Sequence, residues 1–303
     1  MLLNPSSCDP EHDYHKEETH ESWEGATTLT FPSLSDDLPF GEFLSSGFYR
    51  KSCPDLEGII NRKVKEWLKQ DFSLAASLMR LHFHDCAIRV EKKCPKTVSC
   101  ADILTAATRD ATVQAGGPYW AVPYGRRDGK VSIAKETEMV PMGHENITAL
   151  VEFFQSQGLN VLDLVVLFRG TPIGRSSCGS VQHRLYNFSG TGKPDPSLDP
   201  QYLNYLERKC RWASDYVDLD AATPHKLTLD ITPICRRRWD FCPQNQLLYS
   251  DPRTSPLIKA FAYQPSVFYH QFGVSMAKFR NVQVLTEKNE GEIRTNCNFV
   301  NSY

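Results

Sequence analysis

The run Arg80-Leu81-His82-Phe83-His84-Asp85-Cys86 places an arginine and a histidine four residues apart, and on a helix that spacing puts both side chains on one face. The pair is a fixed cation and a proton shuttle. It suits a reaction in which a small oxygen-rich substrate loses a proton at one atom and gains it at another, while a positive charge stabilises the departing anion; peroxide cleavage is such a reaction. The same spacing also fits a surface pair or a hydrogen-bonded helix contact. A third reading makes His82 and His84 metal ligands with Asp85 and Cys86. Residues two apart on a helix face different ways, however, and an H-x-H pair suits a strand better.

The elements that must position this run are helical. Leu56, Ile59, Ile60, Val64, Trp67 and Leu68 form one apolar stripe, and Leu74, Leu78 and Leu81 form the next, on the helix that carries Arg80 and His84. Ser99-Cys100-Ala101-Asp102 reads as a helix start, with Ile103, Leu104, Ala107 and Ala111 behind it and Gly116-Gly117 as the stop. Ile147, Leu150, Val151 and Phe154 mark a helix ended by Gly158, and Asn160 can cap a short apolar helix from Val161 to Leu167. Asp199-Pro200 opens another, with Leu203 and Leu206 inward, and Val267, Phe268, Phe272 and Met276 mark the last. Strand-like alternation is confined to short pieces such as Val131 to Ala134, so the chain reads as mostly α, without internal repeats.

The 303 residues suffice for one large core or two closely packed halves. A net charge of -2 and a pI near 6.5 give no electrostatic reason to expect nucleic acid, and Arg236-Arg237-Arg238 is too short for a basic face. No apolar run approaches the length that spans a bilayer. Ten scattered cysteines favour disulfides in an oxidising compartment over a zinc module, and the sequons at Asn146 and Asn187 are compatible with secretion. Residues 1–42 carry many acids against Lys16 alone. They have neither a basic n-region nor an apolar h-region, so the chain shows no recognisable signal peptide, and the segment reads as a disordered acidic leader to a domain spanning 43–303.

With these motifs in place, the chain from about Phe43 to Tyr303 resembles the plant secretory (class III) haem peroxidases. The resemblance is carried by Gly47-Phe48-Tyr49 with Ser52-Cys53-Pro54, by Arg80 to Cys86, and by Cys94-Pro95 followed by Val98 to Leu104. It continues through Gly125-Arg126-Arg127-Asp128-Gly129, Arg184-Leu185-Tyr186-Asn187, Gly190-Thr191-Gly192, Val217-Asp218-Leu219-Asp220 and Gly291 to Cys297. It implies a two-lobed helical fold holding haem b and structural Ca²⁺, with hydrogen peroxide and small phenolic donors as partners, a monomeric state and secretion. It makes His84 the distal acid-base catalyst, Arg80 the transition-state stabiliser and Pro141 a substrate-binding residue at the aromatic-donor site; a loop proline before a helix is the plainer reading of Pro141. Of the family's four disulfides it implies three here: Cys53–Cys94, Cys100–Cys297 and Cys178–Cys210.

The pattern also breaks. After Cys86 the family continues with a calcium loop and a further helix, whereas this chain passes from Ala87-Ile88-Arg89 to Val90-Glu91-Lys92-Lys93-Cys94. One distal helix segment is therefore expected to be missing, and with it the partner of Cys86 and the residue that orients His84. Of the distal calcium ligands only Asp85 remains, against the about 6 to 8 oxygens that Ca²⁺ takes, so that ion is expected to be lost. At the family's proximal iron ligand the aligned residue is Thr171, followed by Pro172, and a hydroxyl is a poor iron ligand beside imidazole, thiolate or phenolate. The partner of that ligand aligns with Asn245, and of the proximal calcium ligands Asp220 and Thr223 match. The nearest remaining histidine, His183, stands about three helical turns beyond Thr171, roughly 18 Å along a continuous helix. The expected function is thus H₂O₂-dependent oxidation of phenolic donors, with hydrogen peroxide breakdown in the response to oxidative stress, impaired at Thr171. The alternatives are a non-catalytic peroxidase-fold binding protein and a mis-spliced product, since the losses sit at abrupt junctions.

Overall fold

Three helices at the amino-terminal side set the core. The structure, a computed structural model, describes residues 44–81, 93–131, 133, 135, 141, 145–169, 173–196, 198, 200–218 and 248–302, with the side chains of residues 80, 81 and 169 excepted; these residues belong to one compact unit, Ser33–Tyr303. Helix α1 (Leu56–Gln70) buries Leu56, Ile60, Val64 and Leu68, four residues apart along one face. Helix α2 (Leu74–Leu81) and α1 both pack on α3 (Cys100–Gln114). Helix α3 is buried almost all round rather than along the single stripe read from Ile103, Leu104, Ala107 and Ala111. Ala106, Ala107 and Ala111 let its neighbours approach closely. Its threonines satisfy their hydroxyls within the helix: Thr105 donates to Ala101 O (2.6 Å) and Thr112 to Thr108 O (2.8 Å).

The caps fall where the side chains favour them. Ser99 Oγ accepts from Asp102 N (3.2 Å) at the start of α3. Asn146 Oδ1 accepts from Ala149 N (2.9 Å) at the start of α4 (Ile147–Ser156). Before α5 (Val161–Arg169), Asn160 Oδ1 accepts from Asp163 N (2.9 Å) and Asp163 Oδ2 from Asn160 N (3.0 Å), a reciprocal box. At the end of α3, Gly117 N donates to Thr112 O and Gly116 N to Val113 O, with Gly116 at φ 89°; Leu159 and Gly158 repeat this arrangement after α4, with Gly158 at φ 75°. Both are Schellman closures, which need a left-handed residue that glycine supplies without penalty.

Later elements depart more from the sequence reading. A two-stranded antiparallel sheet pairs β1 (Arg175–Ser177) with β2 (Tyr216–Asp218), Ser176 opposite Val217. Val131 and Ile133, expected to mark a strand, lie outside any strand; their side chains are 62% and 52% exposed, so the alternation has no sheet on which to bury an apolar face. Helix α6 (Cys178–Tyr186) follows β1 directly. The chain between Thr171 and His183 is therefore not one continuous helix, and the 18 Å spacing along it does not apply. Helix α7 (Pro200–Lys209) joins α6 around a second apolar cluster that contains Cys178, Leu185, Tyr202 and Leu206. Helices α8 (Ser255–Tyr263) and α9 (Pro265–Phe279) complete the main core, with α9 packed on α5. Asp163 fastens that contact: its Oδ1 accepts from Ser275 Oγ (2.8 Å).

Candidate functional site

Helix α2 carries the backbone of Arg80 in its last turn, and α3 fixes the height of that turn. Thr108 Oγ1 lies 3.3 Å from Leu78 O and 2.8 Å from Leu104 O, so one hydroxyl bridges the two helices two residues before Arg80. Ala75, Leu78 and Met79 are buried beneath it. His84, Asp85, Thr171, Asp220 and Thr223 lie outside the described residues, as do the junction after Cys86 and the acidic leader. Pro141 is half-buried in the irregular stretch that leads to α4. His183 is exposed on α6. No two of the residues assigned to peroxide chemistry are brought together among the described residues, and no group of three or more His, Cys, Asp or Glu there could hold a metal ion.

All three expected disulfides are present: Cys53–Cys94, Cys100–Cys297 and Cys178–Cys210, with Cα atoms 5.8, 5.7 and 5.2 Å apart. The first anchors the chain immediately beyond the junction after Cys86. The second ties the first residue of α3 to the carboxy-terminal segment. The third closes the smaller apolar cluster.

The polar framework around the start of α3 goes well beyond the helix start read from Ser99 to Asp102. Asp102 is fully buried and accepts from Tyr49 Oη (2.9 Å), Gly125 N (2.8 Å), Arg126 N (3.2 Å) and Arg126 Nη1 (3.1 Å). Burial pushes its carboxyl up, against the pull of Arg126 and the other donors. The Tyr49 phenol is likewise pushed well up by burial, then by the Asp102 charge. Arg126 spends its remaining donors on Pro123 O, Arg280 O and Asn281 Oδ1. Beside it, Asp128 accepts from Cys100 N, Ala101 N and Arg294 N, joining the start of α3 to the carboxy-terminal segment. A second cluster ties α1 to α3: buried Arg109 donates to Asp110 (2.7 Å) and to Glu57, and Glu57 also accepts from Tyr124. The links that join separate stretches could not be paired from sequence, because their partners stand 23 to 166 residues apart.

A mostly α chain built on these helices and closed by these three disulfides, with Arg80 in the last turn of α2, has the fold of a plant haem peroxidase. The chain belongs to the peroxidase family, and within it to the plant secretory (class III) peroxidases: the family profile described as Peroxidase matches residues 87–264. It is similar to Peroxidase 7 of Arabidopsis thaliana, 46% identical over 302 aligned residues that cover 88% of this chain and 86% of that protein. It is also similar to Peroxidase 28 of Arabidopsis thaliana (35% identical; 84% and 92% covered) and to Peroxidase 1 of Oryza sativa subsp. japonica (36%; 85% and 93%). Hydrogen peroxide and reducing donors are the substrates of this family, and haem and calcium its cofactors. Among the described residues no single helix is long and apolar enough to cross a membrane.

Proposed function

We propose that this chain is a secretory peroxidase scaffold whose inherited reaction, the oxidation of phenolic donors by H₂O₂, is impaired because Thr171 stands where the family holds its iron. Arg80 and His84 retain the distal chemistry: a guanidinium that stabilises developing negative charge and an imidazole that carries a proton from one peroxide oxygen to the other. The donor set on the other side does not fit haem. Threonine offers a neutral hydroxyl, and haem proteins use imidazole, thiolate, thioether or phenolate. The observation that carries this reading is the position of His183, exposed on α6 and separated from α5 by the strand that pairs with β2. Export follows from the same reading, since three disulfides suit an oxidising compartment. Retention of only Asp85, and of Asp220 with Thr223, leaves incomplete calcium shells.

The test is the absorption spectrum of the full chain refolded with haem, with and without cyanide, alongside guaiacol oxidation. The expected result is no imidazole-type Soret band and turnover below about one per cent of an intact plant peroxidase, which corresponds to a barrier higher by about 2.7 kcal/mol or more. An imidazole-type spectrum with turnover in the range of such an enzyme would refute the proposal.

A further inference from the structure

A cleft of about 420 Å³ opens between the first turns of α3, the end of α4 and the segment that follows α9, within the size range of small-molecule sites. It takes none of its walls from the residues assigned to peroxide chemistry. Leu159, one of its lining residues, precedes α5 in the chain, whereas Thr171 comes after α5 in the sequence and lies outside the described residues. Its apolar walls include Leu104, Phe153, Phe154, Phe279, Val282 and Leu285. Its charged lining is one-sided: Arg126, Arg127 and Arg280 are among the described lining residues, and no acidic residue is.

The three arginines are not equivalent. Arg126 is committed to Asp102, Pro123 O, Arg280 O and Asn281. Arg280 is buried and points Nη2 towards Ala101 O at 3.5 Å; burial, followed by the neighbouring Arg126 charge, weakens its hold on its proton. Arg127 differs. It is half-buried, its Nε donates to Gly291 O (3.1 Å), and among the described residues neither Nη meets a hydrogen-bond partner. Its backbone is fixed, since Arg127 N donates to Leu285 O (2.8 Å) and Asp128 pairs with Glu292 in both directions (2.9 Å each). A guanidinium edge left open on a fixed backbone is preorganised to take a planar anion in a two-pronged contact.

We propose that this cleft binds a small aromatic monocarboxylate, with the carboxylate on the Nη edge of Arg127 and the ring among Phe153, Phe154 and Phe279. One open fork matches one carboxylate. Asp102 and Asp128 are buried behind this wall, Asp102 paired with Arg126 and Asp128 held by backbone N–H groups, so the open guanidinium of Arg127 is the charge that selects against neutral analogues. Apolar walls on the remaining sides disfavour a fully hydrated anion such as phosphate, which would lose its water without replacement partners. At the rim, Gln283 Nε2 meets Gln157 Oε1 at 3.3 Å, a neutral contact that a ring substituent can replace.

The probe is trans-cinnamate, with cinnamamide as its neutral counterpart, titrated into the full chain by calorimetry and ligand-detected NMR. Cinnamate is expected to bind at least tenfold more tightly than cinnamamide, and Arg127→Gln to abolish that difference. Val282→Trp, which fills the cleft without touching the arginines, is expected to remove both ligands. Equal binding of acid and amide, or cinnamate binding unchanged by both substitutions, would overturn the proposal. A third outcome would also overturn it: amides of 281–285 protected from hydrogen exchange without ligand and released by Asp36→Asn with Asp37→Asn, because the chain's own acidic leader would then hold the cleft.

Discussion

Replacing Asp128 by asparagine tests the framework most directly. The carboxylate is 2% exposed; its Oδ2 accepts from Cys100 N (3.1 Å) and Arg294 N (2.9 Å), and its Oδ1 from Ala101 N (2.9 Å). Cys100 and Ala101 are the first two residues of α3, whose N–H groups have no partner inside the helix. Asparagine retains one acceptor and turns the other into a donor aimed at a donor. At least one charge-assisted bond is lost, about 1.5–3 kcal/mol, and the favourable charge at the helix start with it, about 0.3–1 kcal/mol. The expected destabilisation is about 3 kcal/mol, or roughly 5 °C in Tm for a chain of this size. Asp128→Ala, which strands all three N–H groups, is expected to exceed about 4 kcal/mol. Calorimetry with the disulfides intact measures the shift, and hydrogen exchange at Cys100, Ala101 and Arg294 locates it. A loss below about 1 kcal/mol, or unchanged protection at those three amides, would refute the assignment of Asp128 as the link between α3 and the carboxy-terminal segment.

Alkaline pH provides a second test. Burial first, and then Asp102 or Glu57, pushes the phenols of Tyr49 and Tyr124 well up, so they stay protonated in the fold while unfolded tyrosine ionises near pH 10. Their contribution is complete below about pH 10 and falls as pH rises above it, by about 1.4 kcal/mol per pH unit for each tyrosine. Tyr124→Phe should halve the combined slope in urea midpoints between pH 10 and 11.5; parallel slopes would count against it. Removing Cys178–Cys210, which closes a 32-residue separation, should cost about 3–4 kcal/mol and release protection selectively in 178–217. In the proposed haem site, Thr171→His should restore an imidazole-type Soret band on reconstitution, and a spectrum identical to that of the parent chain would show that the altered surroundings, rather than one residue, prevent ligation.

What the sequence made legible was local. Ser99, Asn146 and Asn160 cap helices through contacts three residues away, and Gly116 and Gly158 close them at once, so type and spacing alone disclosed α3, α4 and α5. Helix α6 escaped because, after Cys178, only Val181 and Leu185 provide a buried apolar pair in the helix to Tyr186, and α8 because Ile258 and Phe261 are too few to establish a period. The alternation at Val131 misled because period two requires a sheet to face, and none pairs there among the described residues. The cleft was invisible for a different reason: Leu104, Phe154, Arg127 and Val282 come from four separate stretches, and no spacing rule connects them.

The residues that hold the fold and those expected to perform its chemistry occupy different stretches of chain. Asp102, Arg126, Asp128, Arg294 and the cysteines of the three disulfides all lie outside 87–93, 171–172 and 225–245, the stretches where the family pattern is expected to break. Change in those stretches therefore leaves the start of α3 with every N–H partner named above, and leaves Asp163 bonded to α9. It follows that the haem-free chain should fold. Helical circular dichroism, a cooperative thermal transition and slow exchange along α3 are expected without any cofactor, and adding haem should move Tm by less than about 2 °C, since a ligand raises stability only as its occupancy of the folded state allows. A chain that collapses without haem, and regains protection along α3 when haem is supplied, would show instead that the cofactor holds the core and that the described network is insufficient.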